Sequence, residues 1–382
     1  MTGSPTSPLA GIRVLDLSRM FPGAYCTSLL ADLGADVLKV EAPNGGDGMR
    51  FLPGDFKASH VALNRGKRSM TLDLRTDGGP DVLRRLARDV DVVVESHRPG
   101  ALDRLGVGFE ALRADDAGLV WCSLTGFGPD GPMAEAPGHD MTYLGYSGLM
   151  STLTVGGRPV VPGSTITLAL AGLMGAFGIV AAINARHESG RGCRVDSAIV
   201  DAARWVVSDL VAMALNDQPQ SWPEMPSRAN YWCADGRWIT CTASDPKSWA
   251  TLVEAIDAPD LASPRMGIDD AKVAARLTAI FASAPAARWL ENPGPAGGIG
   301  AVALPGDVVD DPQVDSRGSV VRLEGDGPLV LANPLRLDGA SGEAATNARG
   351  PAPELGQHTD EALLAAGFSP DEVAALRDAS VV

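Results

Sequence analysis

Several absences narrow the reading of this chain before anything present is considered. No GxGxxG follows its first apolar run, where SRMFPGAYC stands instead, and no GxxxxGK[ST] occurs. Neither a nicotinamide dinucleotide nor a P-loop nucleotide is therefore supported. Cysteine is scarce, with Cys26, Cys122, Cys193, Cys233 and Cys241 scattered and without CxxC spacing, so no zinc or redox pair is expected and no metal site is assigned. Positive charge is short: 32 Lys and Arg against 47 Asp and Glu give a formal net charge of -15 over 382 residues. Such a surface argues against nucleic acid or a polyanionic membrane as partner, and an anionic ligand would need a local basic patch. The N-terminus lacks a basic stretch followed by an apolar core, so no secretory signal is expected and a cytoplasmic location is the default.

What is present fits a soluble globular protein with room for two domains. Ile12 to Leu17 and Asp36 to Glu41 read as strands flanking a helix from Pro22 to Leu33, a βαβ unit. Met70 to Leu74, Val90 to Val94 and Leu119 to Leu124 are further strand candidates, with a helix over Pro80 to Arg88, so an α/β domain with a largely parallel sheet is expected. Thr165 to Ile183 carries no charge for 19 residues. Its Ala, Gly and Thr content and its isolation favour a helix buried on all sides over a membrane span. Cys193 to Val207 reads as another apolar helix, and the Pro-rich 216–230 as a linker. A hairpin around Asp235-Gly236 then opens a smaller α+β domain over 231–316, with helices near Ser248 to Ala255 and Ala271 to Ala282. The large domain is expected over 1–215, with 317–382 returning to it and Ser369 capping a last helix.

Six ordered segments carry a resemblance: LAGIRVLDLSRMFPGAYCTSLLADLGADVLKVEAP, NRGKRSMTLDLRTDGG, HRPGALDRLGVG, SLTGFGPDGPMAEAPGHDMTYLGYSG, HESGRGCRVDSAIVDA and GQHTDEALLAAGFSPDEV. The chain resembles the type III CoA-transferase family, most of all its α-methylacyl-CoA racemase branch. The resemblance implies an acyl-CoA enzyme with a Rossmann-like large domain and a smaller one. It also implies two chains threaded as interlocked rings, a homodimer or a pairing with a paralogous subunit. Coenzyme A would come as part of the substrate, with no cofactor held permanently.

The charge pattern agrees with an anionic ligand. Between Arg65 and Arg104 stand nine Lys or Arg against seven Asp or Glu, reversing the polarity of the chain. Arg65, Lys67, Arg68, Arg75, Arg98 and Arg104 are the candidates for the phosphates of CoA, because guanidinium pairs bidentately with phosphate. By resemblance, Leu72 to Leu74 pass the adenine or the pantetheine. Met141, Tyr143, Tyr146, Met150 and Leu153 are expected to line an apolar acyl cavity or simply to fill core.

A thioester α-proton is weakly acidic, so its removal needs a positioned base and stabilised enolate. The resemblance makes His139 of the GHD motif that base, with Asp140 as the supporting acid beside it and Asp245 of the small domain orienting the imidazole. The family's second acid, an aspartate just before the long apolar helix, is missing. Thr167 stands there counting back from the helix, and Leu168 counting forward from Pro162; neither can act as a base. Three readings follow: an isomerase, epimerase or lyase-like enzyme using His139 alone, a racemase or transferase using another carboxylate or a water, and a non-catalytic or regulatory CoA-binding subunit.

Overall fold

The structure is a computed structural model that describes residues 7–51, 57–219, 225–262, 271–337 and 350–382. Six strands form one parallel sheet: β1 (Arg13–Asp16), β2 (Asp36–Glu41), β3 (Arg68–Thr71), β4 (Val92–Glu95), β5 (Val120–Thr125) and β6 (Arg194–Ala198). Their order is β3-β2-β1-β4-β5-β6, the doubly wound arrangement that reverses between β1 and β4. Alternation along each strand feeds two cores. Val14, Val37, Val92 and Cys122 face α1 (Met20–Asp32) and α7 (Ile166–Ser189), while Leu15, Leu38, Val93 and Trp121 face α3 (Gly79–Ala87) and α5 (Phe109–Asp115). The chain's last segment seals that second face, where Leu363, Val373 and Val381 join the same core and Asp73 N–H donates to Val381 O at 2.8 Å.

By compactness the chain divides into Met1–Asp209 with Ser316–Val382, and Leu210–Asp315. In the second unit Ala229–Trp232, Trp238–Cys241 and Ile299–Ala301 make an antiparallel sheet covered by the helices Pro246–Ala255, Ala271–Phe281 and Ala286–Glu291. The turn is longer than a two-residue hairpin: Cys233 N–H donates to Arg237 O at 2.9 Å, and Gly236 takes the left-handed φ of +76°. Residues 220–224 of the expected linker lie outside the described residues, as do 338–349 of the returning segment.

Two expectations need correction. The apolar run from Cys193 divides, because Arg194–Ala198 pairs with β5 as β6 and the helix α8 (Ile199–Val206) begins only after it. Helix α7 is not buried all round. Its inner face meets α1 closely, and a Cβ added at Gly172 would lie 2.6 Å from Pro22 O. Its outer face leaves Leu173, Met174, Phe177 and Val180 exposed in one stripe at helical spacing, Phe177 by 69%.

Beneath the C-terminal strand ends lies a buried charge network. Lys39 Nζ meets Asp47 Oδ2 at 2.9 Å and Ser18 O at 3.0 Å, and Lys67 Nζ meets Thr27 Oγ1 at 2.7 Å and Asp16 Oδ2 at 3.6 Å. His60, on α2 (Lys57–Asn64), adjoins it through Asn64, whose Nδ2 lies 3.2 Å from His60 Nδ1 and whose Oδ1 accepts from Lys67 at 2.9 Å. Burial, and then the charge of Arg50, push the His60 pKa down to about 4. An unfolded imidazole titrates near 6.5, so between those values the unfolded chain holds more protons here than the folded one. Stability therefore falls as pH falls through that window, by up to about 3 kcal/mol from this group. Urea titrations across the window should show the decline in the wild type and a shallower one in His60→Gln.

Candidate active site

In an open parallel sheet, ligands bind where the loops after adjacent strands diverge at the reversal of strand order. Here those loops are Leu17 to Arg19 after β1 and Ser96 to Pro99 after β4, joined where Arg19 N–H donates to Ser96 Oγ at 2.8 Å. Two cavities open beside them. One, of about 400 Å³, lies over β1, β2 and the residues following β3, with Val40, Leu72, Leu74, Arg75 and Leu105 on its walls. The other, of about 410 Å³, has Phe21, Arg98, His139, Tyr143, Leu168 and Ile199 among its lining residues. Arg19 and His97 belong to both linings.

His139 is the residue before α6 (Asp140–Tyr146), and its own N–H donates to Thr142 Oγ1 at 3.3 Å. Its imidazole is exposed on the second cavity and has no hydrogen-bond partner among the described residues. Tyr143 holds the approach in place, donating its hydroxyl to Gly138 O at 2.9 Å with its ring edge-on to Phe127. Asp140 is spent differently: its Oδ1 accepts from Thr167 N–H at 2.8 Å and Thr167 Oγ1 at 2.7 Å. It thus caps the first turn of α7, satisfying a backbone donor that the helix leaves open.

That arrangement corrects the place given to Thr167, which is fully buried and turned to Asp140 instead of the cavity. Leu168 lines the cavity with His139, so an aliphatic side chain occupies the wall where the resemblance calls for an acid. Glu135, which sequence reasoning passed over, lines the same cavity and has no ion-pair partner among the described residues. Of the expected acyl-cavity residues Tyr143 alone is among the lining residues; Met141 and Tyr146 point to solvent. Asp245 sits in the other unit as the cap of Pro246–Ala255, accepting from Lys247 N–H and Ser248 N–H at 3.0 Å each. The Ser248 hydroxyl and those N–H groups hold its carboxyl below the usual range.

The basic candidates separate by partner. Arg65 is buried against Asp32 at 2.5 Å and Lys67 is wholly inside the charge network, so neither has a free face to offer an anion. Arg68 begins β3, at the opposite end of the sheet from the cavities, and pairs with Asp36 at 2.7 Å and Glu361 at 3.4 Å. Leu72, Leu74 and Arg75 do line the first cavity, with Arg75 held by Asp73 at 2.8 Å, and Arg98 lines the second. Arg104 closes the short helix α4 (Ala101–Arg104), exposed and without an ion-pair partner among the described residues. The strand-end rule alone would have pointed to Arg19 and His97, which directly follow β1 and β4 in the loop regions.

With this geometry in place the comparisons are specific. Residues 9–359 match CoA-transferase family III. The chain belongs to that family. It is 31% identical to the succinate–glutarate CoA-transferase of Agrobacterium fabrum, over 95% of this chain and 97% of that one. It is 30% identical to the α-methylacyl-CoA racemase of Homo sapiens, over 98% of this chain and 97% of that one. A crystal structure of a CAIB/BAIF family protein from Brucella suis, 30% identical, superposes with a TM-score of 0.81 over 94% of this chain and 100% of its own. This member of CoA-transferase family III is an enzyme with the family's type III fold.

The Asp140–Thr167 contact yields a direct test. Thr167→Val keeps the side-chain shape and removes one donor from a sheltered carboxylate. It should lower unfolding stability by about 1–2 kcal/mol in denaturant titration.

Proposed function

We propose that this enzyme acts at the α-carbon of an acyl-CoA thioester, as an isomerase, epimerase or racemase, with His139 as the acid/base. The observation that carries the reading is an exposed imidazole on the wall of one cavity whose neighbour, sharing Arg19 and His97, supplies space for a nucleotide. CoA would lie across both, its phosphates near Arg75, Arg98 and Arg104, its acyl group beside Leu168 and Ile199. A base at His139 removes the α-proton; the aliphatic wall opposite keeps the acyl group dry and offers no second acid at the position the resemblance predicts.

A transferase reading keeps one specific support. Glu135 is a carboxylate on the same cavity wall, and a carboxylate is the nucleophile that accepts an acyl group as a mixed anhydride. The two readings differ in what each variant abolishes. In deuterated water, a single enantiomer of a 2-methylacyl-CoA should gain α-deuterium with the wild type and lose that exchange by at least about a hundredfold in His139→Ala. Glu135→Gln should leave the exchange unchanged. CoA transfer to a free acid that disappears in Glu135→Gln, without α-exchange in the wild type, would establish the transferase instead. Leu168→Asp restores a carboxylate to the cavity wall and should add racemisation or transfer, unless burial keeps the new acid protonated.

Assembly follows the same reading. A second copy, as the resemblance implies, would cover the bare stripe on α7 and bring its Asp245 to orient His139. Phe177→Asp places a charge in that stripe. Sedimentation should show a dimer for the wild type and a shift toward monomer, with loss of α-exchange, for the variant.

A further inference from the structure

Two carboxylates stand on the wall of the first cavity, where the proposed function places an anionic nucleotide. Glu41 ends β2 and Asp47 lies in the loop after it, with Ala42, Asn44 and Gly46 on the same wall. Left bare, each would repel a phosphate ester through a wall of low dielectric. Asp47 is matched by Lys39, inside the buried network. Glu41 is matched by Arg50, which is not among the lining residues and has no part in the proposed chemistry. Arg50 Nε donates to Glu41 Oε1 at 2.8 Å and Arg50 Nη2 to Oε2 at 2.7 Å, a bidentate pair that the guanidinium fork supplies and a lysine does not. The Asp47 N–H adds a bond to Oε1 at 3.0 Å and Ser69 Oγ one to Oε2 at 2.7 Å, so each oxygen accepts twice. Burial opposes the charge of Glu41, but these bonds, that of Arg50 foremost, hold its pKa below the ordinary value.

The guanidinium has a second attachment. Its Nη1 and Nη2 both donate to Pro353 O at 3.2 Å, on the segment that returns to this unit. Gly356 N–H of that segment donates to Ser69 Oγ at 3.1 Å, the hydroxyl that also serves Glu41. Between the two lies Gly46, at the left-handed φ of +66°, where an added Cβ would sit 2.9 Å from Leu355 Cδ1, 3.0 Å from Glu41 Oε1 and 3.1 Å from Arg50 Cδ. The loop that walls the cavity is therefore seated on the Glu41–Arg50 pair and on the returning segment. Asp47 keeps Lys39 as a separate anchor, and with it the grip on Met20 N–H at the second cavity.

We infer that Arg50 is a positioning residue for the nucleotide end of CoA: without touching the ligand, it neutralises Glu41 on the cavity wall and holds the loop 42–49 against residues 353–356. The inference rests on the CoA reading and adds to it a residue that acts on the anionic half of the ligand alone. Its loss is felt as affinity for the nucleotide, and the reaction at His139 proceeds as before once the ligand is bound.

Calorimetry with CoA and α-deuterium exchange with a 2-methylacyl-CoA, both on the full-length protein, test this. Arg50→Gln should weaken CoA binding roughly tenfold and raise KM in proportion, with kcat within about twofold of the wild type. With the matching pantetheine thioester, which lacks the nucleotide, kcat/KM should differ by less than about twofold between the two proteins. An equal loss on both substrates would make Arg50 a general prop of the fold and overturn the positioning role. Adding Glu41→Gln to Arg50→Gln removes both charges and should bring CoA affinity back to within about threefold of the wild type; an affinity still about tenfold low would overturn the neutralisation. If Arg50→Gln does not fold, Arg50→Lys keeps the charge but not the fork or the bonds to Pro353 O. It should weaken CoA binding about threefold with kcat retained, and unchanged binding would overturn the role. Failure of the wild type to bind CoA would overturn the CoA reading itself. Equal CoA affinity in the wild type and Arg50→Gln would overturn only the role given to Arg50. Absence of α-exchange in the wild type would overturn the chemistry given to His139, and the calorimetric comparison would still decide the role of Arg50.

Discussion

Four buried charges hold the rest of the site in position. Asp16 ends β1, Lys39 stands in β2, Asp47 lies in the loop beyond β2, and Lys67, just before β3, reaches Asp16 with its side chain, so one network ties three neighbouring strands together. Burial acts against the charge of Lys39, yet Asp16 and Asp47 outweigh it and keep its pKa above the ordinary value. Lys67 is the less compensated partner, and burial draws it down to about 8. Removing one member would leave its partner charged in an apolar interior, a more costly state than either pair or no pair. The network also fixes backbone: both oxygens of Asp47 lie 3.1 Å from Met20 N–H, at a residue held at φ +62°, where a side chain other than glycine is strained. Met20 lines the second cavity, so strain at the cavity wall is maintained by charges beneath it.

The cavity walls divide their tasks between sides of the sheet's reversal point. Cationic side chains gather where the loops after β1 and β4 meet, and aliphatic or aromatic ones gather around His139. An acyl-CoA has the same division, with phosphates at one end and a largely apolar chain at the other. As a cap, Asp140 is a carboxylate beside His139 that is not free to react: it secures the start of α7, and through α7 the wall that carries Leu168.

Much of the large unit was legible because its strands are short apolar runs separated by amphipathic helices, and β1, β2 and α3 stand within a residue or two of their expected places. The strand β6 was not, since Arg194–Ala198 runs into α8 without a break in its apolar spacing and differs from helix only through pairing with β5, some 70 residues away. The site was partly legible. His139 and Asp140 carry a motif that can be read, whereas the fates of Arg65 and Lys67 depend on Asp32 and Asp16, distant in the chain and invisible to a count of charges. Thr167 and Leu168 are neighbours on one helix, and a rotation of one residue exchanges the buried position for the exposed one. Composition could not separate a helix enclosed by its own chain from one with a face left for something else, because both are apolar all round.

The closure of one sheet face by the C-terminal segment has a consequence for how the polypeptide is made. Ala362, Leu363, Val373 and Val381 leave the ribosome long after Leu15, Leu38 and Val93, yet they complete the core over them. The intervening unit, Leu210–Asp315, is continuous and holds its own core, so it can finish folding while the first is still open. At roughly 5–20 residues per second, the early strands wait many seconds with one apolar face only partly covered, by α3 and the residues after it. The nascent chain thus passes through a long interval in which these early strands are its least protected part, and deletion of the helices Thr359–Ala365 and Pro370–Asp378 would leave them in that condition permanently.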